Sequence, residues 1–287
     1  MDGSVSGNKV KGDKKCPFRF ISDGHFLFWH RFDLYLYAQH MLLEIIADSV
    51  EAAQQAERGG ADRLELITAR TEGGLTPSTG LFQNVRRATD LPIFVMIRPR
   101  GGDFAYTQTE LDVMHAELDW MKAQGADGLV LGCLQPDGRV QADAVAAFLE
   151  RAYPLPVTFH RAFDACRDPE EALEDLIRLG VPRVLTSGWA PDVFSGREML
   201  RQLQAQTQGR LQILAGGGVR PKNLTALATE TGITEWHSSA TKSYTGRMQF
   251  RHPHVTFSPD DHTHWCADAT IVQAIKTALL RVALNPG

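Results

Sequence analysis

Gly60-Ala61-Asp62-Arg63-Leu64-Glu65-Leu66 and Gly125-Ala126-Asp127-Gly128-Leu129-Val130-Leu131 are two versions of one unit: a glycine that stops a helix, then a short apolar strand. The unit recurs as Gly180-Val181-Pro182-Arg183-Val184-Leu185 and as Gly232-Ile233-Thr234-Glu235-Trp236. Its glycines stand 65, 55 and 52 residues apart, which is the length of two strand–helix units. Four such pairs supply eight strands, and a chain of about 250 residues built this way closes into a barrel.

Outward from these units the pattern continues. Apolar runs at Leu42–Ala47, Arg63–Ile67, Ile93–Arg98, Gly128–Gly132, Val157–His160, Arg183–Ser187, Gln212–Ala215 and Thr234–Ser238 alternate with amphipathic stretches. Such alternation predicts parallel strands covered by helices. The expected fold class is α/β, a (β/α)8 TIM barrel in one domain over residues 41–287. An open doubly wound sheet is disfavoured, because no Gly-x-Gly-x-x-Gly follows the first strand. Asp48 with Glu51 has the shape of a capping box, and Asp168, Pro169 and Glu171 open another helix in the same way. A long polar connection over residues 241–265, carrying His252, His254, His262 and His264, precedes a last helix from Ala267 to Leu284.

Composition narrows the function classes. The chain has 287 residues and a net charge of −4, with basic residues scattered rather than striped. Neither a nucleic acid nor an anionic membrane surface is expected as a partner. The four cysteines, Cys16, Cys133, Cys166 and Cys266, match no zinc spacing and no disulfide framework. They read as reduced thiols in a cytoplasmic compartment. No apolar run reaches the ~18 residues of a membrane span.

Residues 1–40 break the pattern. Lys9, Lys11, Lys14 and Lys15 precede an aromatic stretch from Phe18 to Tyr37, interrupted by Asp23, His25, His30, Arg31 and Asp33. It lacks the cleavage site of a signal peptide and shows neither strand nor helix periodicity. It is expected to lie outside the fold, as an extension ahead of a start at Met41. An aromatic arm covering a surface or partner is the alternative.

In a barrel of this kind, working groups project from the C-terminal ends of strands. The third strand ends in Arg98-Pro99-Arg100-Gly101-Gly102-Asp103. Arg98 and Arg100 suit capture of a carboxylate or phosphate; a salt-bridged rim is the plainer alternative. The fifth ends in His160-Arg161-Ala162-Phe163-Asp164. His160 can move a proton near neutral pH, and Asp164 either orients it or pairs with Arg161. Gly216, Gly217 and Gly218 end the seventh strand before a helix at Pro221, so main-chain N–H groups can approach an anion. Ser238, on the eighth strand, extends that cradle. Glu44 and Glu65 fall inside the first two strands on the barrel face, with Arg98 as the expected partner. A structural ion pair and catalysis by the two carboxylates are the two readings. Lys122, Lys222, Lys242 and Lys276 all lie away from strand ends, which disfavours Schiff-base chemistry. No His-x-His pair marks a hydrolase metal centre.

Several of these blocks carry a resemblance. Glu57-Arg58-Gly59-Gly60-Ala61-Asp62-Arg63-Leu64-Glu65-Leu66, Val95-Met96-Ile97-Arg98-Pro99-Arg100-Gly101-Gly102-Asp103-Phe104, Pro156-Val157-Thr158-Phe159-His160-Arg161-Ala162-Phe163-Asp164 and Val184-Leu185-Thr186-Ser187-Gly188 resemble the CutC family of copper homeostasis proteins. The resemblance spans residues 42–250. It implies a TIM-type barrel, a cytoplasmic location, a homodimer or larger homo-oligomer, and copper(I); Arg161 and Ser187, within these blocks, are expected among the anion-binding residues. The ligands implied are cysteines at the positions held here by Ile46 and Ile67, and isoleucine binds no metal. Cys133 and Cys166, with His160, are a substitute set of the soft type that Cu(I) prefers; the loop histidines are a weaker one.

Two functions follow. One is a CutC-type copper homeostasis role without the first- and second-strand cysteines. The other is a barrel enzyme, of lyase or isomerase type, acting on a small phosphorylated or carboxylated molecule. A barrel kept only for interactions is the blandest alternative.

Overall fold

The computed structural model describes residues 41–256 and 262–284. The extension expected over residues 1–40 lies outside the described residues. Eight parallel strands close in chain order: β1 (Leu42–Ala47), β2 (Arg63–Leu66), β3 (Ile93–Met96), β4 (Gly128–Leu131), β5 (Val157–Phe159), β6 (Arg183–Thr186), β7 (Gln212–Gly216) and β8 (Glu235–Ser238). The ring is sealed where β8 pairs with β1, Trp236 opposite Leu43 and His237 opposite Glu44. The helices outside it are α1 (Val50–Arg58), α2 (Thr79–Ala88), α3 (Gln108–Ala123), α4 (Ala142–Ala152), α5 (Pro169–Leu179), α6 (Arg197–Thr207), α7 (Pro221–Thr231) and α8 (Ala269–Leu284).

Strand alternation divides the apolar residues into two cores. Leu43, Ile45, Leu64, Leu66, Val95 and Leu129 face outward into one continuous core beneath the helices. Ile67, Phe94, Met96 and Val130, with Ile46 against them, form a small cluster inside the barrel. Lower in the barrel the filling is charged rather than aliphatic. Arg63 Nε donates to Glu44 at 2.5 Å, and its NH2 group reaches Glu235 at 3.2 Å. Arg183 Nε donates to the same Glu235 carboxylate at 2.6 Å. The guanidinium carbons of Arg63 and Arg183 lie 4.5 and 5.6 Å from the Phe94 ring centre. Buried charges are costly unless paired, and this layer pairs them across the β8–β1 seam.

Most differences from the sequence reading are at element ends. The strands stop up to two residues short of, or one beyond, the expected bounds, where side chains turn toward the mouth. Gly60, Gly125, Gly180 and Gly232 all take positive φ as expected of helix stops. Asp48 does not cap α1: Ser49 Oγ accepts from Ala52 N, while Asp48 pairs with Arg70. The connection over 241–265 contains an antiparallel hairpin, β9 (Thr241–Thr245) with β10 (Thr263–Ala267). Its residues are largely exposed, so no buried face announced it. Among the described residues, no helix is long and apolar enough to cross a membrane.

Candidate functional site

A cavity of about 450 Å³ opens at the C-terminal ends of the strands. Ile46, Glu65 and Ile67 line it from the first two strands and the residue after β2. Arg98 and Phe104 follow β3, His160 and Arg161 follow β5, Gly217 and Gly218 follow β7, and β8 supplies His237 and Ser238. The barrel thus gathers Arg98, His160 and part of the glycine run at one mouth.

At the cavity floor, β1, β2 and β8 bring Glu44, Glu65 and His237 together. Each is at most 5% exposed. The His237 Nδ1 atom lies 2.8 Å from Glu44 Oε1, and its Nε2 lies 3.7 Å from Glu65 Oε2. Burial opposes ionisation of Glu44, but Arg63 and His237 outweigh it and hold the carboxyl down at about 2. Burial, with the neighbouring Glu44 charge, raises the Glu65 carboxyl to about 7 against the opposing pull of His237 and Arg63. Burial alone would lower His237, yet Glu65 and Glu44 together raise it. Gly216 makes this seat possible: a Cβ there would stand 3.0 Å from the His237 Cβ and 2.6 Å from Leu185.

The expected pairing of Arg98 with Glu44 or Glu65 is not what forms. Arg63 takes Glu44, since it lies directly opposite in the β1–β2 register. Arg98 instead donates to the carbonyls of Glu72 at 2.6 Å, Gly74 at 3.1 Å and Gly102 at 2.8 Å. Its guanidinium carbon lies 4.8 Å from the Phe104 ring centre. Arg98 is 4% exposed, its Nε has no hydrogen-bond partner, and no described carboxylate comes within ion-pair distance.

His160 is buried beside it. Its Nδ1 accepts from Ala162 N at 3.1 Å, and its Nε2 is buried without a partner. Burial, and then the Arg98 charge, push the imidazole down to about 3. Such a ring is neutral at physiological pH. Gly132 leaves room for it: a Cβ there would sit 2.6 Å from the ring. Asp164 does not orient His160. Its carboxylate accepts from Arg161 Nε at 2.7 Å, Thr186 Oγ1 at 2.5 Å, Ser187 Oγ at 3.0 Å and Trp189 N at 3.1 Å. It fastens the loop after β6 to the turn after β5.

Other expected residues are placed differently. Arg100 turns away from the cavity onto Glu110, at 2.5 Å, and Asp103. This makes it the salt-bridged rim. Ser187 is buried and spends its hydroxyl on Asp164 and the Ala190 carbonyl. Gly217 and Gly218 face the cavity at φ +105° and +79°, while Gly216 remains in the strand. Ser238 Oγ is held between Val219 O and Ala240 N. Cys133 and Cys166 belong to the outer apolar core, not to the cavity, and burial pushes both thiols up to about 12. They form no site with His160. Among the described residues, the ligand atoms of only Glu44, Glu65 and His237 cluster as a metal-competent trio.

Several cavity residues escaped the sequence reading, Arg70, Arg220 and His237 among them. Arg70 opens a short 3-10 helix and Arg220 caps α7, where no periodic signal marks them, and the strand pattern assigns His237 no role. Its position opposite Glu44 needed the closing register. Cu(I), implied by the resemblance, does not fit the donors present. Ile46, Ile67 and one thioether, Met96, are what the lining offers at the expected place, with no thiolate.

A closed (β/α)8 barrel with a charged interior and a cavity of mixed arginine, histidine and carboxylate lining defines the class. The CutC family model matches residues 41–242, and this chain belongs to the CutC family. The mouse copper homeostasis protein cutC homolog is 44% identical over 237 residues, covering 82% of this chain and 87% of that protein. Its human counterpart is 46% identical over 218 residues, covering 76% and 80%. The crystal structure of CutC from Streptococcus agalactiae superposes with a TM-score of 0.66 at 29% identity, covering 69% of this chain and 98% of that one. A thiamine phosphate pyrophosphorylase from Pyrococcus furiosus shares the fold alone, with a TM-score of 0.52 at 19% identity.

Proposed function

We propose that this chain serves copper homeostasis, as the names of its mouse and human relatives say of those proteins. It does so by chemistry on a small anionic molecule in the barrel mouth, not by holding Cu(I) there. One observation carries this reading: Arg98 is a buried cation at the cavity wall with no carboxylate to balance it. A buried unpaired charge costs several kcal/mol, on the order of 3–5 in mutational cases. An anion entering the cavity supplies the missing partner. Arg161, Arg220 and the turn at Gly217 and Gly218 border the same space and suit a phosphate or carboxylate. The neutral His160 ring presents Nε2 as a hydrogen-bonding group for the bound molecule. Chemistry of lyase or isomerase type suits such a lining. The reading includes a cytoplasmic location and a homo-oligomer; sedimentation at several concentrations tests the latter.

A thermal-shift series with inorganic phosphate, sugar phosphates and small dicarboxylates tests the proposal. At least one should stabilise the parent and not Arg98→Met. Absence of any stabilisation by all three classes would sink it. The rival reading, a thiolate site for Cu(I), is tested by anaerobic Cu(I) titration against a chelating competitor. It gains support if tight stoichiometric binding disappears in Cys133→Ser or Cys166→Ser. We expect no such dependence.

A further inference from the structure

We infer that Glu65 and His237, steadied by Glu44, form a binding site for a divalent transition-metal ion at the cavity floor. Three observations converge on it. Glu65 is 3% exposed and lines the cavity, yet its Oε1 atom is buried with no hydrogen-bond partner. A carboxylate oxygen left so in a protein interior is costly unless a cation or donor meets it.

The second observation is a distance. His237 Nε2 and Glu65 Oε2 stand 3.7 Å apart, which exceeds the ~3.2 Å limit of a good N–H···O bond. It is close to the ~3.4 Å that separates two ligands on a tetrahedral ion with bonds near 2.1 Å.

The third is orientation. Glu44 Oε1 lies 2.8 Å from His237 Nδ1. That contact occupies Nδ1 and leaves Nε2 as the ring nitrogen that faces Glu65. Metal-binding histidines are commonly held by such a carboxylate on the opposite nitrogen.

The charges of the surroundings agree. Glu44 and Glu235 are matched by Arg63 and Arg183. Glu65 has no Lys or Arg within ion-pair distance among the described residues; its one close charged contact is His237. An imidazole nitrogen with carboxylate oxygen favours a borderline ion such as Zn(II) over Mg(II) or Ca(II). The absence of a thiolate separates it from a Cu(I) site. The remaining coordination positions face the cavity. This inference does not rest on the anion reading, because Arg98 takes no part in it.

Zn²⁺ alone, titrated calorimetrically into the full chain in a buffer free of phosphate and chelators, tests the site. One equivalent should bind. His237→Gln and Glu65→Gln should each weaken binding roughly tenfold or more, and Glu44→Gln by roughly 10–100-fold as an orienting partner. Arg98→Met should leave it unchanged. Since Glu44→Gln removes one of the two carboxylates that hold Arg63, a melting curve checks its fold, and the unmodified chain provides a second measurement. Co²⁺ should shift or broaden the ring-proton resonances of His237 before those of His252, His254 or His264. The inference is overturned if the unmodified chain takes up no Zn²⁺ saturably. It is equally overturned if uptake survives both His237→Gln and Glu65→Gln, or vanishes in a His252→Ala/His254→Ala variant.

Discussion

His160 shows what one residue owes to its setting. As a histidine at a strand end it reads as an acid–base candidate, and its place in the mouth was legible from the strand pattern. Its charge state was not. Burial and the adjacent Arg98 hold it near 3 against an ordinary 6.5, and both come from the way β3 and β5 deliver their ends to one spot. The pH dependence of stability follows. Above about pH 6.5 the ring is neutral in both folded and unfolded chains. Below that, the unfolded chain takes up a proton that the folded chain refuses, so stability falls by about 1.4 kcal/mol per pH unit toward pH 3. Urea unfolding at a series of pH values should give a shallower decline for His160→Gln than for the parent. Equal slopes would refute the assignment. Arg98 makes a companion case at neutral pH. Arg98→Lys keeps the charge but cannot reach the Glu72, Gly74 and Gly102 carbonyls together, and should cost about 1–3 kcal/mol of stability.

At the scale of elements, the sequence located the strands because apolar runs between helix stops are a one-dimensional signal. It could not say which strand residues must be small for a neighbour's sake. Gly132, just past β4, and Gly216, ending β7, each leave space for a histidine on another strand. A Cβ at position 132 would meet the His160 ring at 2.6 Å. Gly132→Ala should therefore cost about 1–3 kcal/mol, the usual penalty of overpacking. The cost should shrink in a His160→Ala background, since the clash is with that ring. A double-mutant cycle on melting temperature would show this as non-additivity; strict additivity would mean the backbone, not the histidine, resists the methyl. The hairpin of β9 and β10 was illegible for the opposite reason. Its Lys242, Ser243, His264 and Trp265 face solvent, so no buried face imposed a pattern.

For the molecule as a whole, closure is the property that matters most, and its deepest determinant was half visible. Alternation told that Glu44 and Glu65 point into the barrel, but partners across a ring depend on register between strands distant in sequence. Arg63 on β2 joins Glu44 on β1 to Glu235 on β8, and Arg183 on β6 reaches the same Glu235. Four strands meet in one charged layer that spans the seam. Glu235→Gln would leave Arg183, 13% exposed along its side chain, without a carboxylate, and removing one member of a buried pair typically costs about 3–5 kcal/mol. The urea midpoint should fall accordingly while the slope of the transition stays constant, because the surface exposed on unfolding is unchanged. Replacing Arg183 by Met together with Glu235 by Leu removes both desolvated charges. The double variant should therefore recover part of the loss, although Arg63 then keeps only Glu44. If Glu235→Gln unfolds at the parent's midpoint, the charged layer fills the barrel without holding its seam, and closure must rest on the outer apolar core alone.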